Sequence, residues 1–248
     1  HTPFDADGAL ALDTVDAQAA LLAGNGVVGA FVGGTTGEGL SMTVDERRAQ
    51  AHRWLAASGG RLRVIVHVGA AAVGDVEALA RHAADAGATA IATLPPIFFR
   101  PSNVDDLARY LAAVGEAAPD LPLYYYHIPS LSGVRLAMYD LLREASEAVP
   151  SLAGVKFTCE ALHDFARCVR LYDGYFDMLF GRDEILLSGL VAGARGAVGS
   201  TYNVLAPLFV RLLDAYHAGD LSTAERLQAR AGEHVAVMQR HGGLRALK

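Results

Sequence analysis

The chain has 248 residues, 52% hydrophobic and 19% charged, which suits a large packed core and excludes a disordered chain. The formal net charge is -6 and Lys and Arg form no cluster, so a nucleic-acid-binding surface is not expected, and no apolar run reaches the roughly 18 residues of a membrane span. The two cysteines, Cys159 and Cys168, fit neither a CxxC motif nor a zinc site, which favours free thiols in a reducing cytoplasm.

Short β-type runs alternate with amphipathic helical runs along the whole chain. In chain order, we predict a helix over 14–24, a strand over 27–32, a helix over 44–57, a strand over 63–68, a helix over 73–86, a strand over 88–94, a helix over 104–117, a strand over 123–127, a helix over 135–148, a strand over 152–157, a helix over 160–172, a strand over 175–180, a helix over 184–192, a strand over 196–200, and helices over 206–218 and 223–241. The strands are apolar without strict alternation, as strands buried on both faces are. Thr43 with Glu46 predicts a capping box, and Ser102 or Asn103 a further helix cap.

This alternation predicts an α/β fold with a parallel sheet, and specifically a (β/α)8 TIM barrel. Seven strands are visible, and His1–Phe4 is interpreted as the end of a first strand, so the sequence is expected to be truncated at both ends. The barrel is predicted to cover residues 1–218 as the catalytic domain, and residues 219–248 to begin a C-terminal helical extension. A doubly wound open sheet is the structural alternative, although no GxGxxG motif follows the first predicted strand.

Lysine usage is unusual in this chain. Of 21 basic residues only Lys156 and Lys248 are lysines, and Lys156 lies in the apolar strand run 152–157. Arginine could supply charge there but cannot form an imine, so a lysine retained at this costly position suggests a Schiff-base nucleophile. The alternative is a strand-end lysine whose amine extends to water.

Polar and glycine-rich segments lie at the ends of five of the predicted strands or just after them, where a barrel carries its catalytic groups. These segments are 33–38, 124–129, 156–158, 181–184 and 199–203. A neutral lysine amine can attack a ketone, and the resulting iminium is an electron sink for cleavage of a nearby C–C bond. The sequence therefore predicts a class I lyase acting on a 2-oxo acid.

Each remaining motif has both a functional and a structural interpretation. Tyr126 could move the proton that the reaction requires, whereas at least one tyrosine of 124–126 is expected only to pack in the barrel. The 33–38 loop could bind a carboxylate through its backbone N–H groups, or form an ordinary glycine turn. Asp183 and Glu184 could bind sugar hydroxyls, and also suit the first turn of a helix. His67 and His127 end strands and could contact the site.

Three motifs resemble those of the pyruvate-dependent class I aldolases, the dihydrodipicolinate synthase/N-acetylneuraminate lyase family. They are Gly34-Thr35-Thr36-Gly37-Glu38, Tyr126-His127-Ile128-Pro129 and Gly154-Val155-Lys156-Phe157-Thr158, and the resemblance covers nearly the whole chain. It implies that Lys156 is the Schiff-base lysine and Tyr126 the catalytic tyrosine. It also implies that Thr35 and Thr36 bind the pyruvyl carboxylate.

Within the family the closer resemblance is to the N-acetylneuraminate lyase branch. It rests on the segments 37–48, 124–134 and 199–203. The synthase branch usually has an arginine after the tyrosine motif, where this chain has Ser130-Leu131-Ser132, and a tyrosine where this chain has Phe98. The resemblance implies a further set of substrate-binding residues, namely Thr158, Gly181, Asp183, Glu184 and Ser200. Arg182 departs from the aromatic or aliphatic residue of some lyases.

The function expected from this branch is cleavage of N-acetylneuraminate to pyruvate and N-acetylmannosamine. Alternatives are another 2-oxo-acid aldolase or dehydratase, such as a 2-keto-3-deoxy sugar acid aldolase or an enzyme similar to dihydrodipicolinate synthase. A phosphate-binding barrel using Gly193–Ser200 and a non-catalytic sensor are the other classes considered. The mechanism requires no cofactor and no metal. The expected partners are a small sugar-acid substrate and, by resemblance, three further copies in a homotetramer, with no nucleic acid or membrane.

Overall fold

The computed structural model describes residues 1–247, so Lys248 lies outside the described residues. Seven strands form one sheet in chain order, and every neighbouring pair is parallel. The strands are β1 (Gly29–Val32), β2 (Arg63–His67), β3 (Ala90–Thr93), β4 (Leu123–His127), β5 (Leu152–Phe157), β6 (Asp177–Phe180) and β7 (Gly196–Ala197). The predicted α/β class with a parallel sheet is confirmed.

Helices connect the strands, as the alternating pattern predicts. They are α1 (Val15–Gly24), α2 (Val44–Ser58), α3 (Val73–Asp85), α4 (Val104–Glu116), α5 (Pro129–Ser132), α6 (Met138–Ala148), α7 (Leu162–Arg170), α8 (Leu186–Val191), α9 (Tyr202–His217) and α10 (Leu221–Arg240). Within residues 1–247, none of the helices combines the length and the apolar character that crossing a membrane requires.

Two predicted helix caps are confirmed, whereas several predicted helix starts are displaced, α9 by the most. Thr43 and Glu46 form the capping box of α2, and Asn103 accepts a hydrogen bond from the backbone of Asp106 at α4. The prediction started α9 at residue 206, next to Pro207. The helix begins four residues earlier, because the backbone N–H groups of Val204 and Leu205 already bond to the carbonyl of Thr201.

Residues 1–4 do not pair with the sheet, contrary to their interpretation as the end of a first strand. Phe4 instead forms an isolated antiparallel bridge with Leu10. The Thr2 hydroxyl donates to the carbonyl of Gly37 and accepts from the Gln50 amide. The N-terminal segment therefore lies against the loop that connects β1 to α2.

Alternation along the strands separates the packing face of the sheet from the face that carries polar groups. On the packing face the ring centroids of Phe157 and Phe165, and of Phe165 and Phe180, are 5.3 Å apart, and all three side chains are fully buried. Successive strand residues point to opposite faces. Tyr126 and Lys156, which are paired in the register of β4 and β5, therefore lie side by side on the other face.

Candidate active site

Lys156 is buried in the middle of the parallel sheet and does not extend to water. Its side chain is on the inner face of β5, and the residue is only 7% exposed. The Nζ atom lies 3.9 Å from the centroids of two aromatic rings, those of Phe31 and Tyr126. Burial lowers the pKa of Lys156, while favourable interactions with Tyr126 and Asp183 partly oppose that shift. These surroundings favour a reactive neutral amine over a solvated surface lysine.

Tyr126 joins this amine to the loop that follows β1. Its hydroxyl is 3.1 Å from Oγ1 of Thr35, a hydrogen bond in which either group can donate. Tyr125 points the other way into the core and is fully buried, and the Tyr124 hydroxyl donates to Asp177 at 2.8 Å. Of the three consecutive tyrosines, Tyr126 is therefore the one placed against the lysine, and Tyr125 has the packing role expected for at least one of them.

The loop after β1 is tied to the segment after β7. Oγ1 of Thr36 and Oγ of Ser200 are 2.6 Å apart, although the two residues are separated by 164 positions in the sequence. Position 34 requires a glycine because the ring of Phe31 packs closely against its backbone: a Cβ there would lie 2.8 Å from the ring. The loop thus presents the Thr35 hydroxyl beside the phenol of Tyr126 and the Thr36 hydroxyl beside that of Ser200.

Thr158 and Gly181 form a matched pair at the ends of β5 and β6. A Cβ on Gly181 would lie 2.0 Å from Oγ1 of Thr158, so a side chain cannot be added there without displacing the threonine. Within residues 1–247, the buried Oγ1 of Thr158 has no hydrogen-bond partner. A buried hydroxyl left unpaired by the protein is suited to a polar group of a bound ligand.

Asp183 has a contact that the sequence motif did not predict. Its Oδ2 accepts hydrogen bonds from the backbone N–H of Thr201 at 2.7 Å and from the Thr201 hydroxyl at 2.6 Å. A Cβ on Gly199 would lie 2.1 Å from Oδ1, so the glycine leaves room for this carboxylate. Asp183 therefore anchors the segment after β7, and only Oδ1 remains for any ligand.

Arg182 lies between two carboxylates at the outer part of the site. Its Nη2 is 3.0 Å from Oε1 of Glu184 and also contacts Oε1 of Glu160. The side chains of Arg182 and Glu184 are about 30% exposed, whereas that of Glu160 is 62% exposed. The arginine that departs from the family pattern is therefore neutralised by acidic neighbours and does not present a free positive charge.

The two strand-end histidines differ in position. The His67 ring centroid is 5.9 Å from that of Tyr126, and burial lowers its pKa well below the usual value, so it is neutral at physiological pH. His127 packs against Phe157 at 5.0 Å on the face covered by helices, and burial lowers its pKa to about 4. Only His67 adjoins the aromatic group around the lysine.

One cavity of about 810 Å³ brings all the predicted site residues together. Its lining includes Thr35, Thr36, Tyr126, Lys156, Thr158, Gly181, Asp183, Glu184 and Ser200. The sequence analysis did not identify Phe31, which also lines the cavity. The available signal was an aromatic residue near the end of a strand, two positions before a glycine-rich loop.

Comparison with known proteins agrees with this arrangement. The model of the dihydrodipicolinate synthetase family matches residues 1–243. The chain belongs to this family. N-acetylneuraminate lyases B and A of Xenopus laevis are each 47% identical to it over 199 residues, or 80% of this chain, and it spans 74% and 65% of their respective lengths. The structure of N-acetylneuraminate lyase from Aliivibrio salmonicida is 40% identical, with a TM-score of 0.96, covering 98% of this chain and 81% of that one.

These matches confirm the predicted resemblance to the N-acetylneuraminate lyase branch. They also confirm the predicted kind of enzyme, a lyase of the class I aldolase group. The chain spans about two thirds to three quarters of the length of the two Xenopus relatives.

Proposed function

We propose that this protein cleaves N-acetylneuraminate to pyruvate and N-acetylmannosamine through a Schiff base on Lys156. The observation that carries the proposal is the buried Nζ of Lys156, set between two aromatic rings and beside the Tyr126 phenol. The 47% identity to two N-acetylneuraminate lyases supports the choice of substrate. The mechanism is derived below from the groups that face the cavity.

In the first step the neutral amine of Lys156 attacks the C2 carbonyl of the sugar acid. The hydroxyls of Thr35 and Thr36 bind the adjacent C1 carboxylate and so orient C2 toward Nζ. The carbinolamine then loses its hydroxyl group as water, with the proton supplied by the Tyr126 phenol. The products are a cationic iminium and a tyrosinate, whose opposite charges stabilise each other.

In the second step the tyrosinate removes the proton from the C4 hydroxyl. The C3–C4 bond breaks, its electron pair moves into the iminium, and the aldehyde of the amino sugar leaves. Tyr126 returns the proton to C3 of the enamine, and water then hydrolyses the pyruvate imine to regenerate Lys156. Dehydration, C–C cleavage and protonation of C3 all use one phenol, which lies beside the lysine across the β4–β5 register.

The outer cavity favours a tail with many hydroxyls. Thr158 offers an unpaired hydroxyl, and Glu184 offers the carboxylate oxygen that is not paired with Arg182. Ser200 and Oδ1 of Asp183 supply further polar atoms. A site built to bond hydroxyls discriminates strongly against analogues that lack them.

The alternative functions are less well supported by the same residues. A synthase acting on an amino-acid semialdehyde would need a cation for a second carboxylate, and the segment 130–132 carries none. Arg100 lies against Gly133 but does not line the cavity. In the phosphate-binding alternative, the anion would bind at Gly193–Ser200, yet the carboxylate of Asp183 lies directly against Gly199 of that loop.

Treatment with pyruvate and borohydride is expected to add one covalent label per chain, at Lys156. Reduction converts the imine to a stable amine. The chain has two lysines, Lys156 and Lys248, so peptide mapping can assign the label. Intact mass measurement followed by peptide mapping tests the expectation. Absence of a label, or a label at another amine, would contradict the Schiff-base mechanism.

Changing Glu184 to alanine is expected to raise KM for N-acetylneuraminate about 10- to 100-fold, because a hydrogen bond to a charged group contributes roughly 1.5–3 kcal/mol. Imine formation with pyruvate alone should change little, since pyruvate has no hydroxylated tail. Steady-state cleavage kinetics and borohydride trapping measure the two effects separately.

The matched control for this variant is Glu160→Ala. Glu160 pairs with the same arginine but does not line the cavity, so its loss should leave KM nearly unchanged. Equal loss of cleavage and imine formation in Glu184→Ala would contradict a role in binding the sugar tail. Efficient condensation of pyruvate with aspartate semialdehyde by the wild type would contradict the choice of substrate.

The proposal also includes the finer structural predictions. We propose that residues 1–218 form a catalytic domain of the (β/α)8 barrel type, in which the seven described strands correspond to seven of the eight barrel strands, and that residues 219–248 begin a helical extension that supports the site. Gln228 of α10 supports this, since it accepts from the backbone N–H of Leu187 at 2.8 Å and donates to the carbonyl of Asp183 at 3.1 Å. A homotetramer in the cytoplasm remains part of the proposal, and the free thiols of Cys159 and Cys168 are consistent with a reducing compartment.

A further inference from the structure

Two aromatic rings enclose the amine of Lys156. The rings of Phe31 and Tyr126 each have their centroid 3.9 Å from Nζ, and their own centroids are 5.4 Å apart with the planes at 69°. The face of an aromatic ring is electron-rich and attracts a cation at this distance. Tyr126 has a hydroxyl that the reaction uses, but Phe31 has only its ring face to offer.

The position of Phe31 is fixed by its neighbours. The ring lies over Gly34, where any side chain would collide with it. On another side stands His67, whose ring centroid is 6.0 Å from that of Phe31 and which burial keeps neutral. The phenylalanine is therefore held against Nζ by contacts that do not themselves compete for the positive charge.

The amine lacks the ion pair that usually accompanies a buried lysine. Within residues 1–247, no carboxylate forms a salt bridge with Nζ. The titratable groups that act on it are Tyr126, Asp183 and His67, and of these Asp183 acts without direct contact. A cation at Nζ, whether ammonium or iminium, is therefore stabilised at short range by ring faces and the Tyr126 hydroxyl.

We propose that Phe31 is a further catalytic residue, whose ring face stabilises the positive charge on the Lys156 nitrogen in the iminium. The proposal rests on the Schiff-base function proposed above, because the iminium carries its charge at the nitrogen that Phe31 contacts. The ring is equally close to the ammonium of the free enzyme. Removing the ring should therefore have two effects that can be measured separately: it changes the pKa of the free amine, and it weakens formation of the iminium.

The test is borohydride trapping of the pyruvate imine across a range of pH and pyruvate concentration, with Phe31→Leu compared with wild type. Loss of the ring face should make the amine neutral at lower pH, so the acid limb of imine formation shifts down by roughly one pH unit. The iminium loses the same stabilisation, so the half-saturating pyruvate concentration at a pH above that limb should rise about tenfold.

A second series separates the charge effect from packing. Phe31 is replaced by mono-, di- and trifluorinated phenylalanine, which keep the shape of the ring while progressively withdrawing electrons from its face. The half-saturating pyruvate concentration should rise in step with fluorination, and Phe31→Tyr, which keeps an electron-rich face, should remain close to wild type. The fluorinated series also tests the role of the Phe31 ring face if Phe31→Leu does not fold.

The outcomes distinguish this inference from the function on which it rests. A wild-type protein that gives no label at Lys156 would overturn the Schiff-base function, and this inference with it. A wild type that is labelled normally, combined with a flat response to fluorination, would overturn the role of Phe31 alone. A graded response together with rescue by Phe31→Tyr supports it.

Discussion

Changing Lys156 to arginine is expected to reduce cleavage by about 10⁵-fold or more, the scale seen when a covalent nucleophile is removed. Arginine keeps a positive charge but cannot condense with a ketone. Pyruvate and borohydride should add no label to this variant. Initial rates of pyruvate release and intact mass measure the two results.

Lys156→Met is the matched variant that removes the amine at similar length. It should be as inactive as the arginine variant, and its free energy of unfolding should equal or exceed that of the wild type. The reason is that burial lowers the pKa of Lys156, so folding works against an amine that would otherwise be charged at neutral pH. Substantial turnover by either variant would contradict the assignment of Lys156 as the nucleophile.

Changing Tyr126 to phenylalanine is expected to lower turnover by about 10²- to 10⁴-fold, the usual contribution of a positioned acid–base group. The ring face beside Nζ is kept, so the pyruvate imine should still form, though more slowly because its dehydration also uses the phenol. Single-turnover trapping with pyruvate and steady-state cleavage of N-acetylneuraminate separate these steps. Normal turnover would require another group to carry the proton.

Tyr125→Phe provides the control for this substitution. The Tyr125 hydroxyl is buried on the opposite face and has no hydrogen-bond partner within residues 1–247. Removing it should leave turnover unchanged and should not lower the free energy of unfolding, since no hydrogen bond is lost. The same chemical change at two adjacent positions thus distinguishes a proton carrier from a packing residue.

The order and type of the elements followed from local pattern. Strands such as Leu123–His127 and Leu152–Phe157 were predicted with their observed bounds, because continuous apolar runs between amphipathic helices leave few alternatives. The predicted bounds of shorter strands were less accurate. In β7, for example, only Gly196–Ala197 pair with β6. The predicted strand, 196–200, continues into the segment after β7. Asp183 anchors that segment through Thr201, and this hydrogen bond joins residues 18 positions apart.

The sequence by itself determined the edge of the sheet at which the site lies. Parallel strands bring their carboxyl ends to one edge, and Tyr126 and Lys156 both lie near such ends. The register between β4 and β5 decided that the two side chains share one face. The tertiary structure decided which side chains meet across that edge. The ring of Phe31 over Nζ, the Thr36–Ser200 hydrogen bond and the ion pair of Arg182 with Glu160 join groups from different strand ends. Such contacts depend on the curvature of the sheet and on side-chain rotamers, and neither is encoded in the spacing of residues along one strand.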